Sequence, residues 1–355
     1  MRTAAVATEL DSTERRVAFR QSGRTHSRSY SSVVVTAGAA PISLVVPAVA
    51  ADRTVGTLNE AIAPRDLLDA GMGRSALVVG TGYIGPEMAK ALAARGCSVT
   101  VVERLGQVLP KLDPEPAPVV KEHVRQQVDL RLGADATSAD LPGFNLAVVS
   151  VGVRPVATLA GDAGAETGPA GALVVDAGMR MSLPGVWADG DCVAPLHRVT
   201  GQPAYVPLGT TANKTGRVAA GGSARFDGIV GSAVVKVFDL EVARTELTLA
   251  EGRAVGFPAL ATDVVHRSRA KYYPGGSALH VRRLVQGRAG RLLRAQMVGG
   301  EGAAHRIDVL ATGPRAGMTV SELASFDLAN APRYPPVYDP IPIAAKAAVR
   351  QLGPT

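Results

Sequence analysis

Apolar residues along this chain gather into short β-branched runs that stop at glycine or proline, and between these runs they recur at helical spacing. The sharpest stretch is 74–103, where the pattern predicts a strand over 76–79, a glycine-rich turn, a helix over 87–95, a turn at Gly96 and a second strand over 98–102. Other apolar runs predict strands near 33–37, at 130, 146–150, 173–175, 186–188, 233–238 and 279–284. Helical spacing predicts helices near 65–70, 119–127, 209–221, 301–312 and 319–324. Residues 1–32 are polar and alternate weakly, with Val17-Ala18-Phe19 as a strand, which suggests a small antiparallel excursion. Gly71-Met72-Gly73 reads as a link between domains. Strands alternating with helices, followed by strands and then helices, indicate an α/β protein with an α+β C-terminal domain.

The turn at the centre of the sharpest stretch is Gly80-Thr81-Gly82-Tyr83-Ile84-Gly85, a G-x-G-x-x-G between a valine-rich strand and a helix, with Glu103 closing the next strand. In such a unit Gly80 allows the tight turn, Gly82 lets the backbone approach a pyrophosphate, and Gly85 allows the helix to pack closely on the strand. The free N–H groups of the helix N-terminus then receive the anion without a lysine. Glu103 can accept from the ribose 2′ and 3′ hydroxyls and repels a 2′-phosphate, which favours NADH over NADPH, while the adjacent Arg104 could reach such a phosphate. Pro86 is compatible with the first helical turn, where its missing N–H has no intrahelical partner.

At 355 residues the chain has room for two or three domains with their own cores. Only 4% of it is aromatic against 46% apolar, so those cores are built from small aliphatic side chains, which suits buried parallel sheets. The net charge of +7 comes from scattered arginines without interleaved aromatics, so a surface that favours acidic small ligands is expected rather than a nucleic-acid site. Cys97 and Cys192 have neither disulfide-framework nor metal-ligand spacing. The longest apolar stretch, 42–51, holds Pro47 and is too short for a membrane span, and no signal sequence opens the chain, so a cytoplasmic location is expected.

Four motifs then occur in order: Val35-Thr36-Ala37-Gly38-Ala39-Ala40-Pro41, the glycine turn, Ser150-Val151-Gly152-Val153-Arg154-Pro155, and Val186-Trp187-Ala188-Asp189-Gly190-Asp191. Together they resemble the pyridine nucleotide-disulfide oxidoreductase family. The stretches Val234-Val235-Lys236-Val237-Phe238-Asp239-Leu240, Tyr272-Tyr273-Pro274-Gly275, 306–312 and 327–334 are similar to its coenzyme A-disulfide reductase and NADH oxidase branch. The resemblance implies two Rossmann-like domains, an FAD domain over 1–68 and 155–226 and an NAD(P)H domain over 69–154, followed by a dimerisation domain over 227–355. It implies hydride passing from NAD(P)H through FAD to a disulfide such as coenzyme A disulfide, or to oxygen, in a homodimer. Thr36, Ala37, Gly38, Gly152, Gly190 and Asp191 would border the cofactors, with Asp191 bonding the ribityl chain. Tyr83 would resemble the aromatic gate of the nicotinamide pocket, and Glu87 the acid beside the flavin or simply a first-turn acid favouring the helix dipole. Tyr273 and Tyr334 resemble tyrosines that reach the partner subunit's redox cysteine, or serve as packing at an interface rim.

The sequence also departs from that family. Before Val33 there is no glycine fingerprint for the FAD pyrophosphate and no redox cysteine, so a chain lacking its N-terminal βαβ unit and an incomplete FAD domain are expected. Cys192 reads as a buried structural thiol and Cys97 as a small apolar residue ahead of a strand. A catalytically impaired reductase is therefore expected; the alternatives are a non-catalytic NAD-binding protein and an inactive gene fragment.

Overall fold

A computed structural model describes residues 3–46, 52–54, 58–71, 74–137, 143–221, 224–245, 247–287 and 289–353. The end of the expected link at Gly71-Met72-Gly73 lies outside these residues, as does the end of the apolar stretch 42–51. The chain divides into two compact units, one of residues 1–40 with 153–229 and the other of 41–152 with 230–355.

In the first unit, strands Ala5–Asp11, Arg16–Gln21 and Arg24–Ser29 form an antiparallel meander. Leu10 and Phe19 are its buried residues, and Arg24–Ser29, which has no apolar side chain, is exposed throughout. The β-branched run at 33–35 becomes strand Val33–Val35 and pairs in parallel with Val186–Ala188, Val35 opposite Ala188. A second parallel pair joins Leu173–Val174 to Val193–Ala194. Leu10, Val35, Leu173, Val186, Ala188 and Val218, the last from helix Gly209–Ala219, share one core.

The second unit is built on a five-stranded parallel sheet in the order Asp52–Thr54, Leu146–Val149, Ser75–Val79, Ser98–Glu103 and Asp129–Leu132. Its central strands are unbroken apolar runs because both faces are covered. Alternation sends Ala76, Val78, Val101 and Val148 to the face packed by Ala89 and Leu92 of helix Ile84–Ala94 and Val120 and Val124 of helix Ala117–Arg125. Leu77, Val79, Val102 and Val149 meet Val46 and Phe144 on the other. Helix Ile84–Ala94 begins three residues before the periodic stretch, since its first turn carries Gly85 and Pro86 rather than apolar-periodic residues.

The same unit contains a five-stranded antiparallel sheet, ordered Ala233–Val237, Leu240–Arg244, Arg291–Gly299, Ala278–Gln286 and Ala259–Arg267. One face packs on helices Ala303–Ala316, Val320–Ala324 and Pro340–Leu352 through Leu279, Val281, Met297, Ile307, Leu323, Ala344 and Ala348. From the other, Val235, Val237, Val242 and Val298 join the core beneath the parallel sheet. The α/β class with Rossmann-like parallel elements is therefore the observed one. Among the described residues no helix is long and apolar enough to cross a membrane.

Candidate functional site

Strand Ser75–Val79 ends at Gly80, whose φ of +96° suits glycine, and a Cβ there would lie 2.6 Å from the Ser150 carbonyl oxygen. A Cβ at Gly85 would fall 2.0 Å from the carbonyl oxygen of Gly80, so helix Ile84–Ala94 approaches its strand as closely as backbone permits. At Gly82 a Cβ would meet nothing within 4 Å, which leaves the backbone open to a ligand. Tyr83 supplies no side-chain cap to the helix N-terminus, whose first-turn N–H groups lack intrahelical partners and are of the kind that receives an anion. A pyrophosphate fits this cradle.

Glu103 closes the neighbouring strand and is buried. Its Oε2 accepts from the Thr81 N–H and hydroxyl, each at 2.8 Å, and its Oε1 accepts from the Leu105 N–H at 2.9 Å. Each carboxylate oxygen has more than one lone pair, so the group that fixes the loop can still accept from ribose hydroxyls. The Ser150 hydroxyl donates to the carbonyls of Val79 at 2.9 Å and Gly80 at 3.2 Å, and Gly152 follows at a φ of +109°. Arg104 is exposed. Ile84 is partly exposed at the helix start, and Glu87 is exposed one turn on.

In the first unit, Thr36, Ala37 and Gly38 leave the C-terminal end of strand Val33–Val35, and Gly190 and Asp191 follow the parallel strand Val186–Ala188. The register thus sets both turns at one edge of one ladder, where α/β sheets bind ligands. Gly38 and Gly190 have φ of +68° and +80°, and Thr36 and Ala37 are exposed. The Gly190 N–H donates to the Thr215 hydroxyl at 3.1 Å. Asp191 Oδ1 is buried without a hydrogen-bond partner, and burial raises its carboxyl above the usual carboxylate range. The Tyr205 hydroxyl is likewise buried and unpartnered, and burial, with Asp191 and Cys192 nearby, pushes it up to about 12. An orphaned acceptor beside an orphaned hydroxyl fits the polyol of a flavin nucleotide.

The Cys192 thiol is fully buried and donates to the Asp189 carbonyl at 3.1 Å, and burial raises it. Cys97 is buried too, again with its thiol pushed up by burial. Tyr83 points to the antiparallel sheet, its hydroxyl accepting from Arg244 Nε at 2.6 Å. Tyr273 lies half-buried with the Arg269 guanidinium 6.0 Å from its ring centre, and that guanidinium donates to both Glu301 oxygens at 2.7 Å. Tyr334 is 67% exposed. Its segment is tied to the Tyr273 loop by Arg306, which bonds Asp339 at 2.8 Å and the Ser268 carbonyl at 3.2 Å. Among the described residues no group of His, Cys, Asp and Glu could hold a metal. Thr81 and Ser150 lie inside the sequence motifs without being singled out by them, and Tyr205 and Arg244 lie in no such motif.

Residues 1–216 match the family described as pyridine nucleotide-disulphide oxidoreductase. The "NAD(P)H coenzyme A polysulfide/persulfide reductase" of Pyrococcus horikoshii is 32% identical over 353 residues, covering 93% of this chain and 78% of that protein. An "NADH oxidase" of Methanocaldococcus jannaschii is 31% identical, with coverages of 93% and 78%. The solved structure of an NAD-dependent persulfide reductase from A. fulgidus superposes with a TM-score of 0.90 at 33% identity, over 98% of this chain and 68% of that one. Across the first of these matches the chain spans between 66% and 78% of the relative's own length. With its glycine loop, its paired turns after two parallel strands and these likenesses, the chain belongs to the pyridine nucleotide-disulphide oxidoreductase family.

Proposed function

We propose that this chain binds NAD(P)H, with NADH preferred, on residues 80–85 and Glu103, and FAD against Thr36–Gly38 and Gly190-Asp191, in the manner of an oxidoreductase of small disulfides, such as coenzyme A disulfide, or of oxygen, with disulfide reduction impaired because its two cysteines, Cys97 and Cys192, are both buried. The observation that carries the reading is the open, Glu103-braced glycine loop. Gly80, Gly82 and Gly85 shape the pyrophosphate cradle, and Gly152 and Ile84 border it. When bound, the flavin supplies two-electron carrier chemistry. Asp191 and Tyr205 would orient its polyol. In this reading residues 1–68 and 155–226 serve FAD, 69–154 NAD(P)H and 227–355 dimerisation, although strand Asp52–Thr54 pairs with Leu146–Val149 in the sheet of the NAD(P)H part. Purified protein incubated with FAD and desalted should retain absorbance near about 450 nm; a colourless product would reject the flavin half of this reading.

NADH should bind about tenfold more tightly than NADPH, because the Glu103 carboxylate accepts from a ribose hydroxyl and repels a phosphate in the same place. Fluorescence titration of both nucleotides checks this. Glu103→Gln should weaken NADH and narrow the difference, whereas tighter NADPH binding by the unaltered chain would count against the assignment.

The C-terminal segments expose Tyr272, Tyr334, Val337 and Tyr338, large apolar side chains on loops that Arg306 holds together. We read them as part of a homodimer interface, with Tyr273 and Tyr334 at its rim. Light scattering at micromolar concentration should give twice the chain mass; a folded monomer would remove the interface reading.

The buried state of Cys97 and Cys192 favours a second reading, in which the chain binds NADH without reducing disulfides. A cytoplasmic location accords with two buried cysteines that are not joined in a disulfide.

A further inference from the structure

Tyr83 is the only aromatic side chain of the glycine loop. Its hydroxyl accepts from Arg244 Nε at 2.6 Å, and the guanidinium carbon of that arginine stands 5.6 Å from its ring centre. Arg244 ends strand Leu240–Arg244, is 3% exposed, and donates through Nη1 to the Lys111 carbonyl at 3.3 Å. That carbonyl also accepts from Gln296 Nε2 at 3.3 Å, and Gln296 Oε1 accepts from the Asp113 N–H at 3.0 Å. The guanidinium therefore reaches from its strand to the segment after Glu103, whose Lys111 carbonyl it shares with Gln296 of the same sheet. A buried arginine with two bonds is a fixed reference point, and Tyr83 is the half-buried member of the pair.

We propose that Arg244 is a positioning residue for Tyr83, holding the phenol in place before the nicotinamide half of the dinucleotide arrives and so raising affinity for that half. The inference rests on the reading of residues 80–85 as the NAD(P)H loop. Ordering a side chain during binding lowers affinity, whereas a ring already held has been ordered during folding. The bond is charge-assisted and shielded from water, which makes it stronger than an ordinary surface contact.

A double-variant cycle tests this, with Tyr83→Phe, which removes only the acceptor, and Arg244→Lys, which keeps the charge and loses the planar fork. NADH and ADP-ribose are titrated against the unaltered chain, both single variants and the pair. Each single variant should lose about three- to tenfold in NADH affinity, the double variant no more than the worse single one, and ADP-ribose should bind all four within about twofold. A double variant that loses the product of the two single losses would show that Arg244 acts independently of Tyr83. Equal weakening of ADP-ribose would mark general loosening and also overturn the proposal. If Arg244→Lys does not fold, Tyr83→Phe decides alone: unchanged NADH affinity there ends the positioning role. Failure of the unaltered chain to bind either nucleotide would sink the proposed function itself, a result distinct from binding with additive losses.

Discussion

With added FAD, NADH and coenzyme A disulfide, this chain is expected to release no thiol above a control without NADH. Disulfide reduction proceeds by attack of a thiolate on a substrate sulfur, so it needs an accessible sulfur whose thiolate form is populated. Cys192 is wholly buried, its thiol donates to the Asp189 carbonyl, and burial raises it away from the thiolate. Cys97 lies ahead of strand Ser98–Glu103 under helix Ile84–Ala94, where it is one member of an apolar core. Neither sulfur can meet a substrate without opening a core. Any reduction of added FAD by NADH should be the same in Cys97→Ser and Cys192→Ser as in the unaltered chain, because both thiols are buried core members. Thiol release is read with a thiol-reactive dye and nucleotide oxidation by its near-ultraviolet absorbance. Turnover that vanishes in Cys192→Ser would place the redox centre at a residue we describe as structural, and would refute this account.

The second large effect is expected at Asp113, far from any motif. This carboxylate is 2% exposed and accepts from Arg282 Nε at 2.6 Å and from Arg294 Nη2, while its Oδ1 accepts from the Leu249 N–H at 3.3 Å. Arg294 is completely buried, and burial lowers it to about 10, even with Asp113 beside it. Its Nε and Nη1 have no other partner, so Asp113 carries most of its compensation. Asp113→Ala would leave a buried cation unpaired, a change that costs about 3–5 kcal/mol. In a unit of this size that corresponds to a fall in melting temperature on the order of 10 °C. Glu115 bonds the same Arg282 at 2.8 Å but is 52% exposed, so Glu115→Gln should stay within about 1 kcal/mol. Differential scanning calorimetry separates the two, and an Asp113→Ala protein melting within about 2 °C of the unaltered chain would show that the cluster is not compensated as described.

The parts of this protein that its sequence determined alone are those whose causes are local. The βαβ unit at 74–103 was legible because continuous apolar strands, a helical stripe and three glycines at fixed spacing each follow from neighbours a few residues away. Strands Val33–Val35 and Val186–Ala188 were legible one by one, and the polar start as a small antiparallel excursion, for the same reason, while the pairing of the two strands needed the fold. Helix Pro340–Leu352 was not, since its opening Pro340-Ile341-Pro342-Ile343 has no helical period of its own; Asp339 caps it by accepting from the Ile341 N–H, and the antiparallel sheet buries its alanines. Strands Leu240–Arg244 and Arg291–Gly299 were missed because Arg244, Arg294 and Gln296 break the apolar pattern that marks a buried strand. Those residues are buried only because Asp113, the Lys111 carbonyl and Tyr83 meet them from 133 to 183 positions away in the chain. The same holds in the glycine loop, where Glu103 was visible as a ribose acceptor while its bonds to Thr81 needed the two strands side by side. A residue's own spacing announces which element it belongs to, but the polar partner that makes its burial tolerable is supplied by whichever distant segment the fold brings against it.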